Sequence, residues 1–553
     1  MAHTGEPAVG SIAGPAGLLG IALLAMSLHL QEGRASASSV KALAVGSHGV
    51  VGGFWAGWLP SPVEMAAALA AAALLGFSAV IKLRGRQLLG SGVLGRARRA
   101  GRRDLRALRR SRRARAAEPQ VRLGKHQRRA VWLPGDEHLL ALGPTGSGKS
   151  SGLAIPALLE WPGPVVVTDP KGELVRTTLA YRRTLGEAAV FAPLMEPSAR
   201  WNPVASIRSS EDALRVATFL MGRTPEREPF WHELARQLLH GLLVEASHRE
   251  QVLGGVLELL QVCPAEELPE VVRHPVARRL VQGALSGGDR TAMGVAATLV
   301  SQLGAYGSDQ VVGATAASDF DPAGIAGGEL QTLYCVVAPH DAPVLRGLIS
   351  ALISCCWRSL FANPPATPAL FVLDEFTQLT NLPELPSLVQ LGRSQGVRMM
   401  LMAQDLGSIS AAYGVEAAGA IWSNCRTKLL LPGISELELL ERASKLAGTA
   451  TLHRHSGNWT TEPVSSQPLL HPDDVRRLKS EQALVLHGGD QPAVIDQHRW
   501  FRDRALKARA NLGSPAEGPR PAPGRPLRDW IDPDPGWKAS TCPLLWNPAD
   551  VES

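Results

Sequence analysis

The sequence predicts an α/β fold with a mostly parallel central sheet, an inserted all-helical domain and a two-helix transmembrane anchor at the N-terminus. Three observations predict it. Short apolar runs such as PVVVTD, ALFVLDE and VRMMLMAQ end in polar or acidic residues, as buried parallel strands do when their C-terminal ends carry chemistry. Between residues 208 and 305 the apolar residues recur at helical spacing and strand-like runs are missing. Near the N-terminus two long apolar stretches precede a run of arginines.

The chain has 553 residues, too many for one compact core. Its hydrophobic content of 45% is that of a folded protein. The net charge of +7 is unevenly placed. Lys82 to Arg129 holds 18 basic residues and 2 acids, which leaves 39 basic and 48 acidic residues elsewhere. The basic character therefore belongs to one segment and not to the globular body. The six cysteines (Cys263, Cys335, Cys355, Cys356, Cys425 and Cys542) form no C-x-x-C pair and sit mostly in apolar runs. They read as buried thiols of a reducing compartment, and nothing in their spacing supports a structural zinc site.

Residues 8–30 (AVGSIAGPAGLLGIALLAMSLHL) contain no Lys, Arg, Asp or Glu and are long enough to cross a bilayer core. Residues 63–81 (VEMAAALAAAALLGFSAVI) form a second candidate span with one acid, Glu64, near its outer end. The alternatives are a cleaved signal peptide, which the first stretch resembles less because it lacks a basic start, and a buried hairpin. The stretch from Arg96 to Arg115 reads RARRAGRRDLRALRRSRRAR. Basic residues this close to a span favour the cytoplasmic side, which places the bulk of the chain in the cytoplasm and the anchor, multi-pass, in the inner membrane. The same run is suited to anionic lipid and, secondarily, to guiding nucleic acid.

GPTGSGKS (143–150) fits G-x-x-x-x-G-K-[ST] and lies between an apolar strand, HLLAL (138–142), and a helix-compatible segment, GLAIPALLEW (152–161). This pattern wraps nucleotide phosphates with backbone N–H groups at a helix N-terminus. The predicted nucleotide-binding residues are Gly143, Pro144, Thr145, Gly146, Ser147, Gly148, Lys149, Ser150 and Ser151. Lys149 is expected to neutralise the β and γ phosphates, and Ser150 to join the shell of Mg²⁺. ALFVLDEF (369–376) supplies the acids: Asp374 for the metal and Glu375 to polarise the attacking water. The expected ligands are thus ATP and Mg²⁺. Further strands are expected at 164–168, 331–338, 397–404 and 426–431. Gln404 ends its strand facing the γ-phosphate edge and is a candidate sensor. WHELARQLLHGLLVEASH (231–248), QVLGGVLELLQV (251–262) and TAMGVAATLVSQL (291–303) read as helices of the insertion, with Trp231, Leu234, Leu238, Leu242 and Glu245 on one stripe.

The chain resembles the type IV coupling proteins, the TraG/TraD/VirD4 ATPases of conjugation and type IV secretion. The resemblance covers residues 136–502 and rests on ordered pieces: GPTGSGKS, VVVTDPKGELVRTTLAYRR (165–183), RWNPV (200–204), PFWHELARQLL (229–239), TLYCVVAPHDAPVLRGLISAL (332–352), LFVLDEFTQLTNLPELPSLVQLGRSQGVRMMLMAQDL (370–406) and NCRTKLLL (424–431). It implies RecA-like P-loop ATPase domains, each topped by a helical domain and assembled as a membrane-tethered homo-hexamer with ATP between subunits. Arg393, 19 positions past Asp374, matches the residue thought to reach the neighbour's ATP, and Gln404 the polar residue of the next strand. The family often continues Gln-Ser-x-x-Gln, whereas this chain has QDLGS, so the second Gln is missing.

The domain reading is an anchor over 1–82, a basic juxtamembrane linker over 83–130, a nucleotide-binding domain over 131–207 and 306–504 interrupted by helices over 208–305, and a Pro-rich tail over 505–553. The implied function is a pump that brings single-stranded DNA with its attached relaxase to the components of a type IV secretion channel. The alternatives are the same motor acting on protein effectors, a membrane receptor switched by ATP, and an FtsK-like translocase of duplex DNA. No winged-helix reader is visible in support of the last.

Overall fold

The computed structural model describes residues 97–101, 103–109, 119–224, 229–452, 465–512 and 520–521. Both predicted spans, most of the Pro-rich tail and Cys542 lie outside them. The centre of the fold is one 11-stranded sheet. Its strands are β1 (Arg122–His126), β2 (Arg129–Trp132), β3 (Leu139–Leu142), β4 (Val165–Asp169), β5 (Glu187–Phe191) and β6 (Leu330–Val336). They continue with β7 (Ala369–Leu373), β8 (Val397–Ala403), β9 (Thr427–Leu430), β10 (Gln482–His487) and β11 (Ala493–Asp496). From edge to edge the order is β2-β1-β11-β10-β9-β3-β8-β7-β4-β6-β5. The stretch from β9 to β5 is parallel throughout, and the other four strands are antiparallel.

The sheet is thus mixed and mostly parallel, as expected. Each expected strand forms, because LLAL, VVVTD, ALFVL and VRMMLMA are apolar enough to be covered on both faces; every residue in them is buried. The extension β2-β1-β11-β10 and the strand β5 were not anticipated. Residues 122–126 and 129–130, expected in a basic linker, instead belong to the strands β1 and β2 of the sheet. Their Leu123 and Val131 are buried, which outweighs the solvation preference of the flanking cations.

Alternate residues of the central strands feed two cores. Leu140, Leu142 and Phe371 face one, Leu139, Ala141 and Val372 the other. The first core is shared with helices of the long connection between β5 and β6: Ser210–Met221, Pro229–His248, Leu253–Val262, Pro275–Leu285 and Asp289–Leu303. The predicted stripe on Pro229–His248 is apolar and buried at Leu238 and Leu242. Glu245 lies on the stripe and is buried because its carboxylate is fully engaged. It accepts from Arg249 Nε at 2.8 Å and from the Arg273 and His274 N–H groups at 2.9 and 2.6 Å, just before the next long helix.

The helix Ala342–Ala362 lies between the sheet and these helices. Its length and mean hydropathy of 1.4 suit a membrane span, yet it is mostly buried in this core. Gly347 makes that position possible: a β-carbon there would lie 2.4 Å from Phe219 O and 2.5 Å from Tyr306 Oη.

The described part of the arginine run is folded against the body. Ala97 N donates to Thr449 O, Ala100 N to Pro492 O, and Trp132 N to Leu108 O. Arg98 makes a two-pronged ion pair with Asp104 at 2.6 Å, and Asp104 also accepts from Gly101 N; together these hold its carboxyl at about 2. Leu105 and Leu108 are buried beneath this strap. The described cysteines carry free thiols, and all but the half-buried Cys355 are buried.

Gly347→Ala is expected to destabilise the protein by about 1–3 kcal/mol, because the contact it creates is with backbone. Thermal unfolding followed by circular dichroism checks this; an unchanged midpoint would show that the helices pack loosely on Ala342–Ala362.

Candidate nucleotide site

The parallel register brings four strand ends to one edge. Leu142 of β3 lies beside Ala403 of β8, and Leu401 of β8 beside Leu373 of β7; Thr168 of β4 flanks Leu373 on its other side. The chain leaves β3 as the loop 143–149 and enters a helical stretch at Ser150. Gly146 and Gly148 have φ of +80° and +103°, a region where residues with a β-carbon are strained. The helix opens with a wide turn, in which Ile155 N donates to Ser150 O, five residues back.

The side chain of Lys149 folds across the loop. Its Nζ donates to Gly143 O at 2.6 Å and lies 3.0 Å from Glu375 Oε1. Both side chains are nearly excluded from water. Glu375 reaches this place because its backbone is left-handed, φ +46°, which turns the chain sharply from β7 into the short helix Phe376–Leu379. Its Oε2 is buried and has no hydrogen-bond partner.

Asp374 is held at the strand end by Thr168 Oγ1, which donates to its backbone oxygen at 2.9 Å. Burial pushes the Asp374 carboxyl up to about 7; the adjacent Glu375 adds to this, and Lys149 opposes it. Asp169, which ends β4, rises to about 6 through burial, although it accepts from Val175 N and Lys171 N. Three carboxyl groups therefore crowd one ammonium, an arrangement that favours additional cationic charge.

The cavity at this edge is walled by Pro144, Thr145, Gly146, Gly148, Lys149, Ser150 and Ser151 together with Pro170, Lys171, Glu173, Asp374, Glu375 and Arg499. Gly143 and Ser147 are not on its wall. A β-carbon at Gly143 would meet Leu431 Cβ at 2.6 Å, so that glycine serves packing. Among the described residues no group of three or more His, Cys, Asp or Glu is arranged to hold a metal alone. A Mg²⁺ at Ser150 and Asp374 would take its other ligands from phosphate and water, which is its usual manner. The loop, the inward Lys149 and the unpartnered Glu375 oxygen all fit a nucleotide with its metal.

The other two predicted residues lie elsewhere. Gln404 follows β8 directly and is half-buried beside the loop, since Gly143 N donates to Ala403 O, but it is not on the cavity wall. Arg393 sits in the tight turn Gly392–Gln395 before β8. That is the opposite edge of the sheet, roughly 20 Å away at about 3.3 Å per strand residue.

Two residues were missed by sequence reasoning. Gln497 Nε2 donates to Ser147 O at 3.1 Å, and Arg499 Nη1 donates to Ser151 Oγ at 2.6 Å. Both follow β11, some 350 residues after the loop, and no local pattern in QPAVIDQHRW announces the contact.

Comparison with known proteins shows the family and the fold. The model of the family described as Type IV secretory system Conjugative DNA transfer matches residues 99–517. The chain belongs to this family. It is 27% identical to Protein VirD4 of Rhizobium rhizogenes, over 67% of this chain and 59% of that protein. It is also 27% identical to Conjugal transfer protein TraG of Escherichia coli, over 69% of this chain and 70% of that protein. The chain thus spans less than two thirds of the VirD4 relative's length. The bacterial conjugative coupling protein TrwB, solved without its first 70 residues and with sulphate, shares the fold. Its TM-score is 0.59 at 20% identity, over 75% of this chain and 97% of that one. The plasmid coupling protein TrwB in complex with ADP and Mg²⁺ superposes equally well, with a TM-score of 0.59 at 20% identity and the same coverage.

Gly148→Ala is expected to weaken nucleotide binding more than Gly146→Ala. Both introduce strain, but only the first adds a collision, with Gln497 Oε1 at 2.3 Å and Arg499 Nη1 at 2.6 Å; nothing lies within 4 Å of the second. Titration with a fluorescent ATP analogue gives the order, and equal losses would show that Gln497 and Arg499 yield freely.

Proposed function

We propose that this chain is the ATPase of a conjugative DNA-transfer system, tethered to the cytoplasmic membrane, and that it drives a relaxase-bound single strand toward a type IV secretion channel. The observation that carries the reading is the Lys149–Glu375 pair at 3.0 Å, set between a glycine loop and Asp374 in a member of a conjugative DNA-transfer family. The TrwB structure in complex with ADP and Mg²⁺ supports the choice of ligand.

A bound nucleotide supplies the phosphoanhydride bond to be broken, and its Mg²⁺ offsets the charge on the phosphates. The chain's own residues do the rest. Lys149 has one ammonium for two claimants, so phosphate oxygens that draw it release Glu375. Glu375 then has a carboxylate able to take the proton of an attacking water at its Oε2. Ser150 and Asp374 would hold the metal. Gln404, one residue past β8 and beside the loop, suits a residue that reports the γ-phosphate to the strand.

Arg393 lies at the far edge of its own sheet, which suits it to serve a neighbouring subunit and not its own site. The homo-hexamer and the membrane anchor follow from the family reading and from the apolar stretches 8–30 and 63–81. Outside Lys82–Arg129 the chain carries more acids than bases, so DNA contact is expected from a narrow basic or aromatic lining and not from a broad surface.

Glu375→Gln is expected to bind ATP with near-normal affinity and to lose hydrolysis by about 10²-fold or more. Lys149→Ala should lose binding itself. Both should abolish transfer in a mating assay while the protein still sediments with membranes. Transfer that survives either change would make the chain a receptor or platform instead of a pump. Hydrolysis stimulated by single-stranded over duplex DNA separates it from a duplex translocase.

Mixing Arg393→Ala with Lys149→Ala protomers is expected to restore part of the hydrolysis. An absence of recovery, with mixed rings verified by mass, would remove Arg393 from the neighbour's site.

A further inference from the structure

The P-loop does not stand alone. It is backed by two residues that follow β11, Gln497 and Arg499, and these come from the far end of the sequence. Gln497 Nε2 donates to Ser147 O at 3.1 Å and to Gln482 O at 3.0 Å, so the loop is tied to β10 and β11. Arg499 crosses beside it. Its Nη1 donates to Ser151 Oγ at 2.6 Å and its Nη2 to Ser480 O at 3.0 Å.

These two acceptors leave a guanidinium with five N–H donors largely unspent. Among the described residues, no carboxylate lies within 4.0 Å of it. Glu481, an acid that favours the charge of Arg499, is engaged by Arg502 at 2.5 Å. Arg499 is half-buried, and burial together with the neighbouring Arg502 opposes its charge. A cation in such a place is stabilised by an anion, and the space it faces is the nucleotide cavity, of which it forms part of the wall.

The anion can be specified further. Lys149 is directed to Gly143 O and Glu375, where the terminal phosphates of a P-loop nucleotide lie. Arg499 is anchored instead on Ser151, one residue into the helix, and backbone groups of such a loop and helix start cradle the phosphates nearer the nucleoside.

We propose that Arg499 is a nucleotide-binding residue that contacts the α-phosphate, supplied to the P-loop by the strand pair β10–β11. It rests on the nucleotide reading above. The α-phosphate is common to ATP and ADP, so Arg499 grips the nucleotide before and after hydrolysis. Lys149, by contrast, reaches the phosphates that change. The last strand of the sheet therefore reports whether any nucleotide is present, and not which one.

The test uses the full chain in detergent or nanodiscs and titrates fluorescent ATP and ADP analogues into wild type, Arg499→Ala and Arg499→Lys. Arg499→Ala is expected to weaken ATP and ADP by the same factor, about tenfold, and Arg499→Lys to recover part of it, since a tenfold loss is what one charge-assisted contact commonly supplies. The melting temperature without nucleotide is read beside it. The increase that saturating wild-type ADP produces should shrink in Arg499→Ala at the same ADP concentration. Unchanged affinity, a loss confined to ATP, or a lowered melting temperature with the full ADP increment retained would each overturn the proposal. If Arg499→Ala does not fold, Ser151→Ala, which frees the guanidinium without removing it, should leave ATP and ADP affinity within a factor that is again equal for the two; unequal factors overturn the assignment. Wild-type protein that binds neither nucleotide would defeat the nucleotide reading itself, whereas wild type that binds while Arg499→Ala binds equally well defeats only this one.

Discussion

The salt bridge between Lys149 and Glu375 depends on the register of the parallel strands around it. β3 carries the loop and β7 carries the acids, and the single strand between them is β8. Leu142 lies level with Ala403, and Leu373 with Leu401 and Thr168, so the loop and the acids leave the sheet at the same end. A slip of one residue in any of these strands would turn its side chains to the other face and separate the pair. The fully apolar strands prevent that slip, because each must bury both faces at once. The site's accuracy is thus a property of the core and not of the loops that display it.

The same burial sets the electrostatics. Asp374 and Asp169 sit where the sheet excludes water, and both hold their protons more tightly than exposed carboxyls do. Thr168 Oγ1 fixes the Asp374 backbone and two N–H groups fix the Asp169 carboxyl, so neither acid relaxes toward solvent. The left-handed Glu375 adds strain of about 1–3 kcal/mol, which the packed Phe376 beside it sustains. Charge crowding and backbone strain meet in adjacent residues, and that coincidence is what sets this strand end apart from an ordinary surface turn.

Much of this was legible in the sequence. The parallel strands announce themselves as short apolar runs because two-sided burial leaves no room for polar residues. The P-loop and Asp374–Glu375 announce themselves through glycine, lysine and acid at fixed places. The helices over 210–303 were legible because their stripes repeat at helical spacing. What was not legible was long-range. β1 and β2 were masked by the cations that flank Leu123 and Val131, and β10 and β11 are short runs that join the sheet through β9 and β1, which lie earlier in the chain. Gln497 and Arg499 act on a loop that no local pattern connects to them. Arg393 was legible as a motif residue, but its position across the sheet from its own loop appears only in three dimensions.

β11 joins two features that the sequence keeps far apart. At its start, Pro492 O accepts from Ala100 N and Gln491 Oε1 from Arg98 N, so the strand begins against the arginine-rich strap. At its end, Gln497 holds Ser147 of the P-loop. The distance between these contacts is about 17 Å, that of five residues of extended chain. β11 is paired on both sides, with β1 and with β10, so it resists bending. The arginines look like a separate electrostatic device when they are read as sequence. In the fold, the described part of the run is the outer end of a short connection whose inner end is the nucleotide loop.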